Sequence, residues 1–352
     1  MAKPLVTIVT PSLNQGRFIR ATVESVLSQG YQPIEYIVMD GGSTDETAAI
    51  VKDYASRLTW ISEPDRGQSH AINKGFRMGK GEILSWINSD DWILPGAVAK
   101  AVQGFETEPE AGAVYGEGFR ADRDGKITGN FLSTEPPNLW KLVHLSDYIL
   151  QQTVYFRRAA LDDLGYLRED LHYAMDWDIL IRIAKKYPLH YIPEAMGVLR
   201  EYPEAKSFSG GWARVREIGC VLREHTGQHF PPGYLLYAMS TYRPRWLRIP
   251  WALLEDRLAR SQGWDRDGMA GPRVKYMLRA GPGCSLMLCG SVERREELAI
   301  WSHRKMLARA AIEPGPFVWR VRIPETKDAV ELRIRSKRRF LLRSISVERS
   351  PQ

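Results

Sequence analysis

Residues 5–87 alternate between short apolar runs and segments whose apolar residues recur at helical spacing. The runs are rich in Val, Ile and Trp, which favours strands between the helices. Strands are predicted at 5–9, 34–39, 59–62 and 82–87, and helices at 18–27, 44–54 and 69–78. Because strands separated by helices pair in parallel, this order predicts an α/β fold with a Rossmann-like, mostly parallel sheet covered on both faces.

The length of 352 residues exceeds the size at which one hydrophobic core is usual. We therefore expect a main domain over residues 1–208, a helical extension over 209–263 and a small β-sandwich-like domain over 272–350. In the last part, apolar and polar residues alternate between Gly and Pro turns, which predicts a small antiparallel sheet. Its strands are predicted at 273–279, 285–289, 317–323, 330–334 and 340–347, after a linker at 263–271.

Polar side chains follow each predicted strand of the first domain. They are Asn14, Asp40, Asp65 and the pair Asp90-Asp91. Open α/β sheets bind ligands at the carboxyl ends of their strands. We therefore expect these side chains to line one crevice.

The adjacent carboxylates Asp90 and Asp91 end an apolar strand, where two buried charges are costly without a cation. Mg²⁺ and Mn²⁺ take oxygen ligands and commonly complete their shell with substrate phosphates. A metal bridging a diphosphate is one interpretation of the pair. The other is a turn with a helix cap before Pro95, since Asp is common at caps.

Two loops could contact a nucleotide. In the first, Gly41 and Gly42 would let backbone N–H groups approach a ligand beside Asp40, although the same residues suit a plain turn. In the second, Arg66 could meet a phosphate bidentately while Asp65 holds a nucleobase or orients Arg66.

Asp176 lies in the first turn of an amphipathic helix predicted at 174–183, after a strand predicted at 151–158 that ends in paired arginines. The helix dipole alone favours an acid there. Its place after the nucleotide-binding half also suits a general base beside an acceptor.

Taken in order, these segments resemble the family 2 glycosyltransferases, with matching order and spacing as far as residue 210. The segments are 10–14, 40–45, 65–75, 88–91 and the pair Met175-Asp176. The resemblance implies the glycosyltransferase A fold over 1–208, a nucleotide diphosphate sugar donor, Mn²⁺ or Mg²⁺, and inversion at the anomeric carbon. It also implies a glycan or lipid-linked glycan acceptor and a role in bacterial cell-surface polysaccharide or glycolipid synthesis.

The resemblance also implies a role for each matching residue. Asp91 corresponds to the metal ligand and Asp176 to the base that takes the acceptor proton. The residues that correspond to donor-binding positions are Pro11, Asn14, Asp40, Asp65, Arg66, Asn73 and Asp90.

The chain departs from the family pattern at three positions. Gly41 stands where many members have a second aspartate, and Met175 stands where many have Glu. Tyr202 lies near the place of a histidine that often binds the metal. Base selectivity and the number of protein ligands to the metal are therefore left open.

The formal charge of +7 suits an anionic partner but does not choose among partners. The excess lies late in the chain, which gives no support to nucleic acid as a partner. Residues 243–260 alternate Arg with Trp, Leu and Ile, which suits either a helix at an anionic membrane surface or packing against the catalytic domain. Without a signal peptide or membrane span, we expect a cytoplasmic protein, with peripheral contact at the inner membrane face if that helix binds lipid.

Two rival functions remain. A nucleotidyltransferase would also use a doubly wound sheet and a metal site, but it usually carries a Gly-rich phosphate loop near the first strand, which is absent here. A non-catalytic nucleotide-sugar or glycan-binding protein would be expected to lack Asp91 or Asp176. Both are present.

Overall fold

The computed structural model describes residues 3–131, 133–242, 261–264, 269–278, 284–302, 305–322, 330–336 and 340–349. They form two compact units. The first comprises Met1–Gly125 with Pro137–Tyr242, and the second comprises Lys126–Pro136 with Arg243–Gln352. The predicted membrane-surface segment 243–260 lies outside the described residues.

The first unit is built on one mixed sheet. Its strands are β1 (Val6–Ser12), β2 (Ile34–Asp40), β3 (Thr59–Ser62), β4 (Ile83–Trp86), β5 (Trp92–Ile93), β6 (Ala113–Ala121), β8 (Tyr155–Arg157) and β9 (Leu189–Arg200). Their order is β3-β2-β1-β4-β8-β6-β9-β5, with β8 and β5 antiparallel to the others. The predicted α/β class with a mostly parallel sheet is confirmed.

Helices connect these strands. They are α1 (Gly16–Leu27), α2 (Thr47–Lys52), α3 (Gln68–Met78), α4 (Ala97–Thr107), α5 (Leu139–His144), α6 (Arg158–Leu164), α7 (Met175–Lys186), α8 (Lys206–Ser209), α9 (Gly211–Thr226) and α10 (Pro232–Tyr242). Of the helices among the described residues, none is both long and apolar enough to cross a bilayer.

The strand predicted at 151–158 is only partly correct, because Arg158 begins α6. Gln151–Thr153 form a 3-10 turn, and the strand begins at Tyr155. The Gln151 amide donates to the Trp86 carbonyl oxygen at 2.9 Å and the Gln152 amide donates to Asp91 Oδ2 at 2.6 Å. These buried hydrogen bonds turn both side chains toward the end of β4.

Alternate residues of the central strands pack on opposite faces of the sheet. On β2, Ile37 and Met39 belong to one hydrophobic cluster, while Tyr36 and Val38 belong to the other. Because both faces are buried, the strands are continuously apolar rather than alternating. The chain crosses from β3 to β4 on the far side of β1, so the connection order reverses at β1 and opens a crevice at the carboxyl ends of β1 and β4.

The second unit contains an antiparallel sheet, as predicted. The strands of this sheet are β10 (Ser261–Trp264), β11 (Met269–Leu278), β12 (Cys284–Val292), β13 (Glu296–Ser302), β14 (Lys305–Ile312), β15 (Gly315–Arg322), β16 (Val330–Arg335) and β17 (Phe340–Arg349). The short strand β7 (Ile127–Asn130) also falls within the residues of this unit but is not part of this sheet. The sheet order is β14-β13-β16-β11-β17-β12-β15, with β10 beside β11.

Three of these strands lie outside the predicted ones. β10 begins in the last residues of the predicted helical extension, the start of β11 lies in the predicted linker, and β13 and β14 fall where no strand was predicted. β14 contains three Ala and one Lys, which have low strand propensity. Burial of Leu298 and Ile300 in the core of this unit stabilises β13 in spite of its glutamates.

We expect Phe156→Ala to lower the free energy of unfolding by about 3–5 kcal/mol, because it removes a buried ring from the core. Phe156 is fully buried and stacks on Trp86 of β4, with ring centroids 5.5 Å apart. Phe230→Ala is the control, since Phe230 is 72% exposed. Urea denaturation of both variants measures the difference, and equal losses would contradict the packing described.

Candidate active site

Asp40 is the last residue of β2, and its side chain joins the ends of β2 and β3. Its buried carboxylate accepts hydrogen bonds from the Ser43 backbone N–H at 3.2 Å and the Ser62 hydroxyl at 2.5 Å, and a further one from the Ser43 hydroxyl. The loops after β2 and β3 therefore share one acceptor. Asp40 shapes this edge of the crevice.

Asn14 connects the loop after β1 to the loop after β2. Its Oδ1 accepts from the Thr44 backbone N–H at 2.9 Å, and its own N–H donates to the Ser43 hydroxyl at 2.8 Å. Asn14 adopts φ +53°, a left-handed conformation that Asn tolerates better than most residues. Pro11 is buried within β1 opposite Met39.

The Asp65 carboxylate lies against the backbone of Gly41. A Cβ on Gly41 would be 2.7 Å from Asp65 Oδ2, so a side chain there would displace the carboxylate. Asp65 Oδ1 accepts from the Gly67 N–H at 2.7 Å. The structure thus brings Asp40, Gly41 and Asp65 together at the ends of β2 and β3.

Arg66 and Asn73 are engaged with a different segment. Arg66 is exposed and pairs with Glu169 at 2.6 Å. The buried Asn73 amide donates to the Leu167 carbonyl oxygen at 2.9 Å and accepts from the Leu167 N–H at 3.1 Å. Asn73 therefore holds the segment after α6, and its side chain is not among those that line the loops around Asp40.

Asp91 is buried at the end of the loop that follows β4, with 2% of its surface exposed. Its Oδ1 accepts from the Arg200 backbone N–H at 2.7 Å. Its Oδ2 accepts from Gln152 Nε2 at 2.6 Å and Asn88 Nδ2 at 3.1 Å. Three separate parts of the chain therefore fix this carboxylate.

Asp90 is half-buried and contacts the segment after β9. Its Oδ2 accepts from the Tyr202 hydroxyl at 2.7 Å, and its carbonyl oxygen accepts from Arg200 Nε at 2.7 Å. The Arg200 guanidinium also lies 4.8 Å from the ring centroids of Phe18 and Trp92. Tyr202, predicted near the place of a metal-binding histidine, donates to Asp90 instead.

The electrostatics of the pair suit a cation. Burial, and then the neighbouring Asp90, raise the pKa of Asp91 to about 8. Burial likewise raises the pKa of Asp90. A divalent ion would offset the cost of two adjacent buried carboxylates, and their hard oxygen atoms suit Mg²⁺ or Mn²⁺.

Protein atoms alone would not complete the shell of such an ion. Within the described part of the chain, no group of three or more His, Cys, Asp or Glu residues is placed to hold a metal. The residues fit a cation that is bound by the aspartate pair and shared with phosphate or water oxygens.

Asp176 is in the first turn of α7 and is half-buried. Its Oδ1 accepts a hydrogen bond from the Trp177 N–H at 2.8 Å. Burial raises the pKa of Asp176, and the positive charges of Lys206 and Arg214 oppose that rise. Burial and the charge of Asp176 raise the pKa of nearby Asp147 well above its usual range. A carboxylate with a raised pKa is better suited to accept a proton near neutral pH.

Glu217 of α9 fixes the segment that leads into α7. Its carboxylate accepts from the backbone N–H groups of His172 at 2.9 Å and Ala174 at 2.8 Å. These groups precede the helix, so Glu217 sets the approach to Asp176. No local sequence pattern indicates this role, because Glu217 lies on α9, away from the segment that it bonds.

A chain of side-chain hydrogen bonds leads from Asp91 toward Asp176. Asn88 donates to Asp91, Gln68 Nε2 donates to Asn88 Oδ1 at 2.7 Å, and Lys206 Nζ donates to Gln68 Oε1 at 2.6 Å. The positive charge of Lys206 opposes the rise in the pKa of Asp176. The hydrogen bonds thereby connect Asp91 with Lys206 through residues far apart in sequence.

Thr22 of α1 holds the loop that carries the aspartate pair. Its buried hydroxyl lies 2.9 Å from the Ser89 carbonyl oxygen and 2.6 Å from the Asp91 carbonyl oxygen. Both carbonyl groups would otherwise be buried without this donor, so Thr22 fixes the backbone on which Asp90 and Asp91 stand.

Comparison with known proteins gives a family match over the first part of the chain. Residues 7–164 match the model of Glycosyl transferase family 2. The match ends before Asp176, so it covers the parallel strands and the aspartate pair but not the candidate base.

Several bacterial proteins are similar over about the same region. Chondroitin synthase of Escherichia coli is 29% identical over 192 residues, which is 54% of this chain and 28% of that protein. O-antigen biosynthesis protein RfbC of Myxococcus xanthus is 28% identical over 218 residues, which is 59% of this chain and 17% of that protein. The chain therefore matches only a minor part of these two relatives.

A shorter relative is covered more fully. The PGL/p-HBAD biosynthesis glycosyltransferase of Mycobacterium bovis (strain BCG / Pasteur 1173P2) is 28% identical over 187 residues, which is 52% of this chain and 70% of that protein. Among solved structures, S. aureus TarS 1-349 in complex with UDP-GlcNAc has a TM-score of 0.50 at 17% identity, over 67% of this chain and 71% of that one. This likeness supports the glycosyltransferase A fold predicted from the sequence.

We expect Thr22→Val to lower the free energy of unfolding by about 1–3 kcal/mol, because two buried carbonyl groups lose their shared donor while the side-chain volume is kept. Thr107→Val is the matched control, since its exposed hydroxyl donates only to the Gln103 carbonyl oxygen within α4. Urea denaturation compares the two. A Thr22→Val loss no greater than the control would show that the hydroxyl does not hold the loop.

Proposed function

This chain carries a family 2 glycosyltransferase domain, and from that premise we propose that it moves a sugar from a nucleotide diphosphate donor to an acceptor hydroxyl with inversion at the anomeric carbon. The observation that carries the proposal is the placement of Asp40, Asp65 and Asp90-Asp91. They lie at or after the carboxyl ends of β2, β3 and β4 of one sheet, the edge where such folds bind ligands.

The donor side of the proposed site is formed by the loops after β1 to β4. Asp40 and Asn14 fix the loops, and Asp65 presents a carboxylate to a ribose or a base beside Gly41. Arg66 and Asn73 belong to the donor-binding set predicted from the sequence. Their contacts with Glu169 and Leu167 support an indirect role, in which they hold the wall of the site.

The aspartate pair is proposed to bind Mn²⁺ or Mg²⁺, with Asp91 as the metal ligand and Asp90 beside it on the ribose or diphosphate. When bound, the ion would supply positive charge that stabilises the departing diphosphate. Thr22, Gln152 and Arg200 hold Asp91 in place before the donor arrives, and Tyr202 holds the Asp90 carboxylate.

Asp176 is the proposed general base. It takes the proton from the acceptor hydroxyl while that oxygen forms a bond to the anomeric carbon, and the bond from that carbon to the diphosphate oxygen breaks on the opposite face. The proton ends on the Asp176 carboxylate and the electron pair leaves with the diphosphate. The raised pKa of Asp176 supports this role, because a base with a pKa nearer neutrality binds the proton more strongly.

The acceptor is proposed to be a growing glycan or a lipid-linked glycan of the cell surface. The names of the similar proteins support this proposal, since they include a chondroitin synthase, an O-antigen biosynthesis protein and a PGL/p-HBAD biosynthesis glycosyltransferase. TarS 1-349 was solved with UDP-GlcNAc, which supports a nucleotide sugar as the class of donor.

We expect Asp176→Asn to lower the rate of sugar transfer by about 10²–10⁴, because the amide accepts no proton. Transfer is measured over a panel of nucleotide sugars with Mn²⁺ or Mg²⁺, and NMR of the product gives the anomer. Asp53→Asn is the control, since Asp53 is exposed and pairs only with Arg20. Full activity of Asp176→Asn, or a product with retained configuration, would rule out the mechanism.

We expect Mn²⁺ at 100 times its Kd to raise the Tm of the metal-free protein by about 5–10 °C, and Asp91→Asn to remove most of the rise.

Because Asp91 has a pKa of about 8, it holds a proton at pH 6 that the ion must displace. Affinity should therefore increase by up to about tenfold per pH unit between pH 6 and 8. Calorimetric titration at both pH values measures it, and a Kd that is independent of pH would argue against Asp91 as the ligand.

A further inference from the structure

We propose that Lys206 is a positioning residue that holds Asp176 in its working state and couples it to the Asp91 side of the site through Gln68 and Asn88. This inference rests on the proposed function, because it assigns a role within the same site. Lys206 was not among the residues singled out from the sequence.

Lys206 is the first residue of α8, and its segment is packed closely on the approach to α7. Its ammonium group lies 6.0 Å from the ring centroid of Tyr173. At Gly210, a Cβ would be 2.7 Å from Tyr173 Cε1, so the backbone after α8 passes directly over that ring. Tyr173 lies two residues before Met175, the first residue of α7, so Lys206 lies near the helix start that carries Asp176.

The hydrogen-bonded chain from Lys206 runs in one direction. Lys206 has only donors, so the atom of Gln68 that it contacts must be an acceptor. Gln68 must therefore turn Oε1 to Lys206 and Nε2 to Asn88, and Asn88 must turn Nδ2 to Asp91. Every donor in the chain points from the cation toward the carboxylate, an arrangement in which each bond polarises the next.

The charges around Asp176 come from several elements. Lys206 of α8 and Arg214 of α9 act on it with positive charge. The Asp147 carboxyl group and the hydroxyl of Tyr237 on α10 also interact with it. Arg214 NH1 also donates to the Ser207 carbonyl oxygen at 2.7 Å, so it holds α8 as well.

The groups that face Lys206 are Asp176, Glu217 and His172. Burial lowers the pKa of Lys206, and the negative charges of Asp176 and Glu217 oppose that shift. The lysine and Asp176 therefore each favour the charged form of the other. Only Lys206, among the described residues with these contacts, also donates into the chain that ends at Asp91.

This arrangement makes a specific demand on the reaction. The base must be ionised to accept the acceptor proton, and the loss of Lys206 would make ionisation of Asp176 harder. The same loss would free Gln68 to rotate, which would loosen Asn88 beside Asp91. We expect kcat to change by a larger factor than the donor KM, and the loss of kcat to be greatest at low pH.

The test compares Lys206→Met and Lys206→Arg with Lys100→Met as the matched control. Lys100 is also a half-buried lysine, with Glu194 at 2.9 Å as its partner, but it lies on α4. We expect Lys206→Met to move the acid limb of the kcat profile to higher pH by on the order of one unit, with donor KM changed less than about twofold. Lys206→Arg should restore most of the profile, and Lys100→Met should match the wild type.

A second readout does not depend on catalysis. The carboxyl ¹³C signal of Asp176, assigned with Asp176→Asn, gives the pKa of that group directly in each protein. We expect Lys206→Met to raise the pKa of Asp176 by the same interval as the shift in the acid limb of the kcat profile. An unmoved Asp176 signal, or a kcat loss that is equal at all pH values, would overturn the role of Lys206.

Gln68→Leu breaks the hydrogen bonds from Lys206 to Asn88 while it keeps the positive charge of Lys206 near Asp176. This variant also tests the proposal if Lys206→Met does not fold. We expect it to lower kcat at every pH while leaving the acid limb in place, and an unchanged kcat would overturn the coupling to Asp91. If the wild type transfers no sugar, the proposed function fails, and the NMR titration still decides whether Lys206 acts on Asp176.

Discussion

The Asp91 carboxylate is buried, and its position depends on donors from three distant parts of the first unit. Asn88 comes from the loop after β4, Gln152 from the 3-10 turn before β8 and the Arg200 N–H from the end of β9. A buried carboxylate without such partners would be strongly destabilising, so these segments must assemble together around it. The central strands can shift little without breaking one of these bonds.

The same constraint explains why the end of β9 is shaped as it is. Arg200 lies between the rings of Phe18 and Trp92 and donates to the Asp90 carbonyl oxygen, so the chain leaves the sheet against the aspartate pair. It then passes Tyr202 and reaches Lys206 of α8. The family match ends at residue 164, yet Asp176 and the cations Lys206 and Arg214 that act on it lie beyond it.

Local patterns predicted the first strands well, because each is an apolar run that ends in a polar loop. The same patterns missed the 3-10 turn at Gln151–Thr153, where buried amide bonds to Trp86 and Asp91 outweigh local strand propensity. They also missed β13 and β14, whose stability comes from a core shared by several strands. Local patterns also gave no indication that the Asn73 amide bonds Leu167 and Glu169, which lie far along the chain.

The sequence by itself determined the α/β class, the likeness of residues 7–164 to Glycosyl transferase family 2, and the order of acidic residues at the ends of the strands. These follow from short-range periodicity and from motifs within single segments. Tertiary structure decided which of those residues meet. It placed Asp65 against Gly41, Tyr202 on Asp90 and Lys206 beside Asp176. Such contacts depend on how β9, α8 and α9 return over the sheet, and no local pattern encodes the distance between segments that are far apart in the chain.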